Sequence, residues 1–514
     1  MSPRKGQGYE SRRSERGIVF ISALKGGTRR AWIDNCLSMS DPFFVGGPAA
    51  SGRHLANHSK RERDSPLRAD PRRLAWDILR RVEETDAYAD ALLGHSQSTR
   101  KLDPRDHALL TRLVYGTLAW QGYVDHILAA FSRRPPAKLD APVRALLRLA
   151  LYQVCVLTKI PPFAAVDTAV DLAKRFRGGA AAGLVNAVLR RAVSAWREVP
   201  FPSRQDDPIG YLSARLSHPR WLVERWVAQF GVDETEALLR ADNESAPTVA
   251  RVNQLQTNRK RVLETLRRAG RKARPSTYSP VAIQIEDGGA ADALPGYAAG
   301  LFSLQGEASQ LVSFVVDPQP GERVLDACAA PGGKATHMAE LMRNRGEIVA
   351  IDVNSRGITR LQRMARRHGL AVLHPVAADA LSWHPGEARF DRVLVDAPCS
   401  GLGTLRQHSE IKWKRKPEDI TARASVQQRL LRRVSEWVRP GGVLVYATCT
   451  LTREENDDVL ESFVSRHPSF VIEDPRPSLP SGARELIGGD LVLRTFPHRH
   501  GLDGFFAVRL KARG

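Results

Sequence analysis

The chain predicts a multidomain protein: an all-α bundle first, a small linker domain next, and an α/β domain with a doubly wound parallel sheet last. Three observations predict this. Apolar residues recur at helical spacing from Asp70 to about residue 200. Beyond about residue 300, short apolar runs alternate with amphipathic helical stretches, the signature of strands joined by crossover helices. In that second half, strands end in Asp at the edge where open α/β sheets bind ligands.

Residues 1–69 mix Gly, Ser, Arg and short apolar fragments without sustained periodicity and are expected to form a mostly disordered extension. The helical region follows. PRRLAWDILRRVEE, DHALLTRLVYGTLAWQGYVDHILAAF and APVRALLRLALYQVCVL each carry an apolar stripe, with Arg144 and Arg148 one turn apart off the stripe of the third. VDTAVDLAKRF and GLVNAVLRRAVSAW complete a compact bundle over 70–200. VPFPSRQDDP is a Pro-rich break. A linker domain over 210–300 opens with SHPRWLVERWVAQFG, and its RVNQLQTNRKRVLETL reads as a strand, a polar turn and a basic helix. The α/β domain spans 301–514. RVLDACA precedes KATHMAELM; EIVAID precedes SRGITRLQRMARRH; AVLHPVAAD, FDRVLVDAP and GGVLVYATCT are further strands, and FFAVRLKA closes the sheet.

Composition narrows the function. Lys and Arg number 77 against 56 Asp and Glu, a formal charge of +21, which favours a polyanionic partner. Five cysteines with no CxxC pair disfavour a zinc ribbon or a disulfide framework, and no metal site is expected. No apolar run reaches membrane-spanning length, so a cytoplasmic protein without a membrane partner is expected.

The loop DACAAPGGK joins the first strand of the α/β domain to its helix. Cys328, Ala329, Ala330, Pro331, Gly332, Gly333 and Lys334 line it; glycines admit a ligand close to backbone, and the helix start offers free N–H groups. It is neither GxGxxG nor a Walker loop. Asp352 at the end of the second strand is placed to accept from ribose hydroxyls, Asp379 after the third from an adenine amino group, and Asp396 ends a further strand near the reacting centre. Arg356, one turn past Asp352, is a weaker pocket candidate. A single such Asp is more often a helix N-cap, but three in series favour a nucleoside ligand.

DACAAPGGK, AIDVNSRGITRL, VLVDAPCSGLGTLRQHSEIKWK, LVYATCTLTREEND and DGFFAVRL occur in this order. Together they resemble the Nol/Nop/Sun family of RNA cytosine methyltransferases, whose catalytic domain is a Rossmann-like class I methyltransferase and whose methyl donor is S-adenosylmethionine. LRLALYQVCVLTKIPPFAAVDTAVDLAK and GLVNAVLRR resemble the NusB-type RNA-binding fold, and RVN at 251–253 matches a short motif of the family's linker domain. A NusB-like domain ahead of the catalytic domain points, within that family, to enzymes acting on a cytosine of 16S ribosomal RNA, free or in an assembly intermediate. A monomer is expected.

Cytosine carbon 5 is a poor nucleophile until a thiolate adds at carbon 6, and a base must later take the carbon-5 proton so that the thiolate leaves. The resemblance assigns attack to Cys449 and assistance in release to Cys399. Asp396 would bond the exocyclic amine or ring nitrogen 3, and Lys334 would orient Asp396 or touch substrate. Cys328 reads as a small apolar residue under the loop. KWKRK (412–416) and RLLRR (429–433) are candidate RNA contacts or ordinary solvated faces. The competing readings are a cytosine methyltransferase acting on transfer RNA or another RNA, and a non-catalytic NusB-like RNA-binding factor.

Overall fold

The computed structural model describes residues 70–85, 87–95, 102–157, 159–176, 179–286, 289 and 291–514. The extension expected over 1–69 lies outside the described residues.

Among the described residues, seven helices build the first layer: α1 (Pro71–Glu84), α2 (Ala89–His95), α3 (Pro104–Ala119), α4 (Gln121–Phe131), α5 (Ala141–Cys155), α6 (Pro162–Arg175) and α7 (Ala182–Ala195). Local chemistry starts several of them. Asp70 accepts from the Arg72 N–H and Asp103 from the Asp106 N–H, each at 2.9 Å, and Pro occupies the first turn of both helices. The apolar stripes meet in one core around Leu110, Leu113, Val124, Ile127, Leu147 and Leu151. The off-stripe arginines of α5 are not solvated. Arg148 grips Asp125 through two hydrogen bonds of 2.7 and 2.6 Å, and Arg144 pairs with Glu83.

Three more helices follow: α8 (Pro208–Arg215), α9 (Arg220–Phe230) and α10 (Val232–Asp242). Their core, centred on Trp226, Leu222 and Leu239, is shared with Leu402, Leu405, Ile411 and Leu451, which flank the two cysteine motifs. Next comes an antiparallel sheet in the order β2–β3–β1–β4, made of β1 (Thr248–Val252), β2 (Ala273–Pro275), β3 (Ala282–Ile285) and β4 (Phe302–Leu304). Helix α11 (Arg259–Arg268) buries Val262 and Leu266 against this sheet and leaves its basic side outward, so the strand, turn and basic helix read from 251–266 are present.

The C-terminal sheet has eight strands. Seven run in the order β10–β12–β9–β8–β5–β6–β7, and β11 (Leu493–Thr495) pairs with β12. Strands β5 (Arg323–Asp326), β6 (Glu347–Asp352), β7 (Leu373–Ala377), β8 (Phe390–Asp396) and β9 (Val438–Thr448) are parallel. Helices α12 (Glu307–Val316), α13 (Gly333–Leu341) and α14 (Ser355–His368) contribute to the core on one face; α16 (Pro417–Ser435) and α17 (Asp457–Arg466) cover the other. A single turn, α15 (Ile411–Lys414), precedes α16, and another, α18 (Pro497–His500), precedes the last strand.

The fully parallel sheet implied by the alternation needs one correction. β10 (Phe470–Ile472) and β12 (Phe505–Ala512) form antiparallel pairs, with β12 inserted between β10 and β9. The reason is where β12 begins. Phe506 pairs with Thr448 at the carboxyl end of β9, and Gly504 donates to the Gly403 carbonyl at 2.7 Å, so the chain enters the sheet from that edge and must run back.

Candidate active site

The glycine loop, Asp352, Asp396 and the two cysteines gather at the carboxyl edge of β5, β6, β8 and β9. The 327–334 loop turns from β5 into α13. Gly332 caps the helix at φ +111°, and a Cβ there would meet Leu361 Cδ1 at 2.4 Å, so only glycine lets the loop lie this close to α14. Asp352 ends β6 and reaches across to this loop. Its two oxygens accept from the Ala330 N–H at 2.9 Å and the Asn354 N–H at 2.7 Å. Asp352 thus anchors the loop as well as standing at its rim.

Asp379 lies two residues beyond β7, exposed, with Oδ1 turned to the Leu381 N–H at 2.9 Å in an Asx-type turn. Arg356 is exposed in the first turn of α14. Cys328 is half-buried against the core beneath the sheet edge, and burial, then Asp326, push its thiol well above the usual range.

Lys334 Nζ donates to Asp396 Oδ2 at 2.5 Å and lies 5.2 Å from the centre of the Phe505 ring. Burial pushes the Lys334 ammonium down, but the charge and hydrogen bond of Asp396 outweigh it, and the result is a raised pKa. Under the pair sits a residue that the reading of three Asp-ended strands passed over. Asp326, the last residue of β5, is 1% exposed, and neither carboxylate oxygen finds a hydrogen-bond partner among the described residues. Burial first, then the charge of Asp396, pushes it up to about 7, against the pull of Lys334 and weak support from the Cys328 amide. The signal was available, since the strand RVLD ends in Asp as the others do.

Cys399 and Cys449 follow β8 and β9, adjacent parallel strands. Their sulfurs are 3.1 Å apart as free thiols, and the Cys449 N–H points at Cys399 Sγ at 3.3 Å. Hydrogen bonding to Cys449, then burial, then the charges of Cys449 and Glu455, hold the Cys399 thiol well above its usual range.

The basic run 412–416 does not form a solvated face. Lys412 is fully buried and donates to Asn243 Oδ1 at 2.9 Å; the Trp413 indole donates to the Leu118 carbonyl at 2.7 Å; Lys414 reaches the Thr85 and Ala87 carbonyls. Arg415 holds the Ser400 carbonyl at 2.9 Å, next to Cys399. In RLLRR, Leu430 and Leu431 are buried while Arg429 and Arg432 are exposed.

A glycine loop at the start of a crossover helix, Asp residues along one sheet edge and a reversed final strand are the architecture of the Rossmann-like methyltransferases. Comparison with known proteins narrows this. The family model described as 16S rRNA methyltransferase RsmB/F matches residues 313–511, the NusB family model matches 69–194, and an RsmF/B-like ferredoxin-like domain matches 218–292. A Bacillus subtilis protein named "Probable ribosomal RNA small subunit methyltransferase B" is 37% identical over 449 residues, covering 86% of this chain and 99% of its own. The ribosomal RNA small subunit methyltransferase B of Pseudomonas putida is 36% identical over 412 residues, covering 80% and 91%. The crystal structure of PH0851 superposes with a TM-score of 0.75 at 29% identity over 87% of this chain and 99% of that one. The chain belongs to the RsmB/F methyltransferase family and carries that family's NusB domain.

Proposed function

We propose that this protein transfers a methyl group from S-adenosylmethionine to carbon 5 of a cytosine in 16S ribosomal RNA, through a covalent adduct with Cys449. The observation that carries the proposal is the pair of thiols 3.1 Å apart, one after each of two adjacent strands, beside a Lys–Asp pair and the glycine loop. A single buried cysteine is more often inert. The names of the relatives support ribosomal RNA as substrate, and the charge of +21 suits a polyanion.

The loop fits the methyl donor. Asp326, Asp352, Asp379 and Asp396 stand at the ends of or just beyond their strands along one edge with Lys334, so carboxylates outnumber ammonium groups, as a ligand bearing a sulfonium and an ammonium requires. Residues 327–333 and Asp352 would hold that ligand, with Asp379 at the outer rim. When bound, it supplies an electrophilic methyl.

The chain's own groups do the rest. Cys449 Sγ, as thiolate, adds to carbon 6 of the cytosine, and the electron pair of the 5,6 double bond becomes available at carbon 5 for methyl transfer. Asp396, held by Lys334, positions the base through its amine edge. A base then removes the carbon-5 proton, the double bond re-forms and the carbon–sulfur bond breaks, returning the pair to Cys449. Cys399, in contact with that sulfur, assists this last step. NusB-like helices over 70–200 and the linker over 210–300 present the RNA to the domain at 301–514.

Trapping separates these roles. Cys399→Ala is expected to leave a covalent protein–RNA species, seen as a slow, RNase-sensitive band on a denaturing gel. Cys449→Ala and the double variant are expected to give neither band nor product. A band from Cys449→Ala and none from Cys399→Ala would reverse the assignment.

A further inference from the structure

Two consecutive residues, Glu455 and Asn456, lie in the turn between Cys449 and α17, and both are buried. Glu455 is 0% exposed and forms no ion pair among the described residues. Its Oε1 accepts from the Ser400 N–H at 2.8 Å and from Gln427 Nε2 at 3.0 Å, and its Oε2 from the Thr452 hydroxyl at 2.8 Å. Gln427 also donates to the Pro398 carbonyl at 3.1 Å. The residues on both sides of Cys399 are therefore tied to Glu455, directly or through one amide. Asn456 treats Cys449 in the same way: Oδ1 accepts from the Thr448 hydroxyl at 2.6 Å, and Nδ2 donates to the Thr450 carbonyl at 3.0 Å. A hydroxyl contact of 2.8 Å between Ser400 and Thr450 joins the two loops.

We propose that Glu455 is a positioning residue for the cysteine pair, locking the two cysteine loops in register and acting through Cys399. The proposal rests on the catalytic reading of the two thiols given above. A buried carboxylate bonded to two loops costs free energy that apolar packing would not, so its presence needs a role beyond filling space. Its geometry supplies one: a single carboxylate bridges Ser400, the residue after Cys399, to Thr452 in the Cys449 loop, and its charge bears on Cys399. That charge opposes loss of the Cys399 proton. The other titratable and charged groups around Cys399 are Cys449 and Tyr446 from β9 and its loop, and Arg415, which binds the Ser400 carbonyl.

Glu455→Gln keeps the shape and removes the charge, while Glu455→Asp keeps the charge and shortens the bridge. In the full-length protein, we expect Glu455→Gln to lower kcat on the order of 10–100-fold with little change in KM for RNA. The pH midpoint of Cys399 alkylation, read on its own peptide by mass spectrometry, should move down. Glu455→Asp should lower kcat as well but leave the alkylation midpoint at its wild-type value. An unmoved midpoint in Glu455→Gln would overturn the proposal. So would a kcat loss that merely tracks a lower melting temperature and weaker S-adenosylmethionine binding, which marks a structural residue. If Glu455→Gln does not fold, Thr452→Val and Glu455→Asp carry the kcat–KM test, and wild-type kinetics in both would overturn it. Alkylation needs no RNA. A wild-type protein that fails to methylate cytosine therefore refutes the catalytic reading, whereas the midpoint still reports on Glu455.

Discussion

Asp326 shows what one buried group does to the whole molecule. Its carboxyl is pushed up to about 7, chiefly by burial, whereas an unfolded Asp titrates near about 3.9. Below about pH 4 both states are protonated and the group contributes nothing. As pH rises towards 7 the unfolded state ionises while the folded state does not, so stability falls, and above 7 the full cost applies. Three units correspond to at most about 4 kcal/mol. Asp326→Asn removes this term. The melting temperature of the wild-type protein without ligand, relative to that of the asparagine variant, should therefore drop between pH 5 and pH 8. Parallel pH dependences in the two proteins would mean that Asp326 is not a buried titrating acid. Such a cost is tolerable where a cationic ligand compensates it on binding, as proposed for the loop beside Asp326. By the same reasoning, Asp352 and Asp396 were legible in the sequence because each ends a strand before a recognisable motif. Burial is what distinguishes Asp326 from them, and burial depends on how neighbouring strands stack.

At the scale of elements, the link that matters runs from β1 to the helix of the glycine loop. Arg251, in the RVN motif of β1, is 0% exposed. Its guanidinium donates to Gln305 Oε1 and the Gly333 carbonyl at 2.5 Å each, to the Thr336 hydroxyl at 3.0 Å and to Glu340 at 2.8 Å. The four-stranded sheet thereby grips the loop that the methyl donor is proposed to occupy. Removing one partner of a buried ion pair strands the other, at about 3–5 kcal/mol. Arg251→Met should thus destabilise the protein by that order in denaturant unfolding and weaken S-adenosylmethionine binding in calorimetry; unchanged values in both would show that the grip is idle. Elements such as β1 and α11 were legible because period and turn residues are local. The partners of Arg251 were not, for they lie 54 to 89 positions away. The reversal of β12 escaped for a related reason: its direction is set by the edge from which the chain returns, and an apolar run reads the same both ways.

At the scale of the whole molecule, the segment after Cys399 is the joint between layers. The PCSG turn continues into residues 407–415, and this short stretch contacts both helical layers. Glu410 accepts from the Ala89 N–H at 2.8 Å at the start of α2, and Lys412 is buried against Asn243 just after α10. Trp413 lies where any side chain at position 122 would collide with it, 2.6 Å from a Cβ built on Gly122. A run of basic and aromatic residues has the composition of an RNA contact, and composition alone does not distinguish it from a run that donates hydrogen bonds to carbonyls of the protein itself. The structure chooses the second, because the lysine stems and the indole bury apolar surface while their nitrogens find acceptors. The helical bundle is in this way fastened beside the cysteine loop instead of hanging from a tether. Trp413→Ala removes an aromatic anchor of the kind that costs about 3–5 kcal/mol when truncated in a core, less where half-buried as here. We expect the variant to melt in two steps, the bundle separating before the α/β domain, and to be cleaved by a dilute protease between α7 and α8. Binding of S-adenosylmethionine should persist, because the glycine loop lies on the other strands of the sheet. Methylation of RNA should fall, because the bundle no longer presents substrate at a fixed distance from Cys449. A single transition with wild-type protease resistance would show that the bundle is held by other contacts, and that the 407–415 segment serves Cys399 alone.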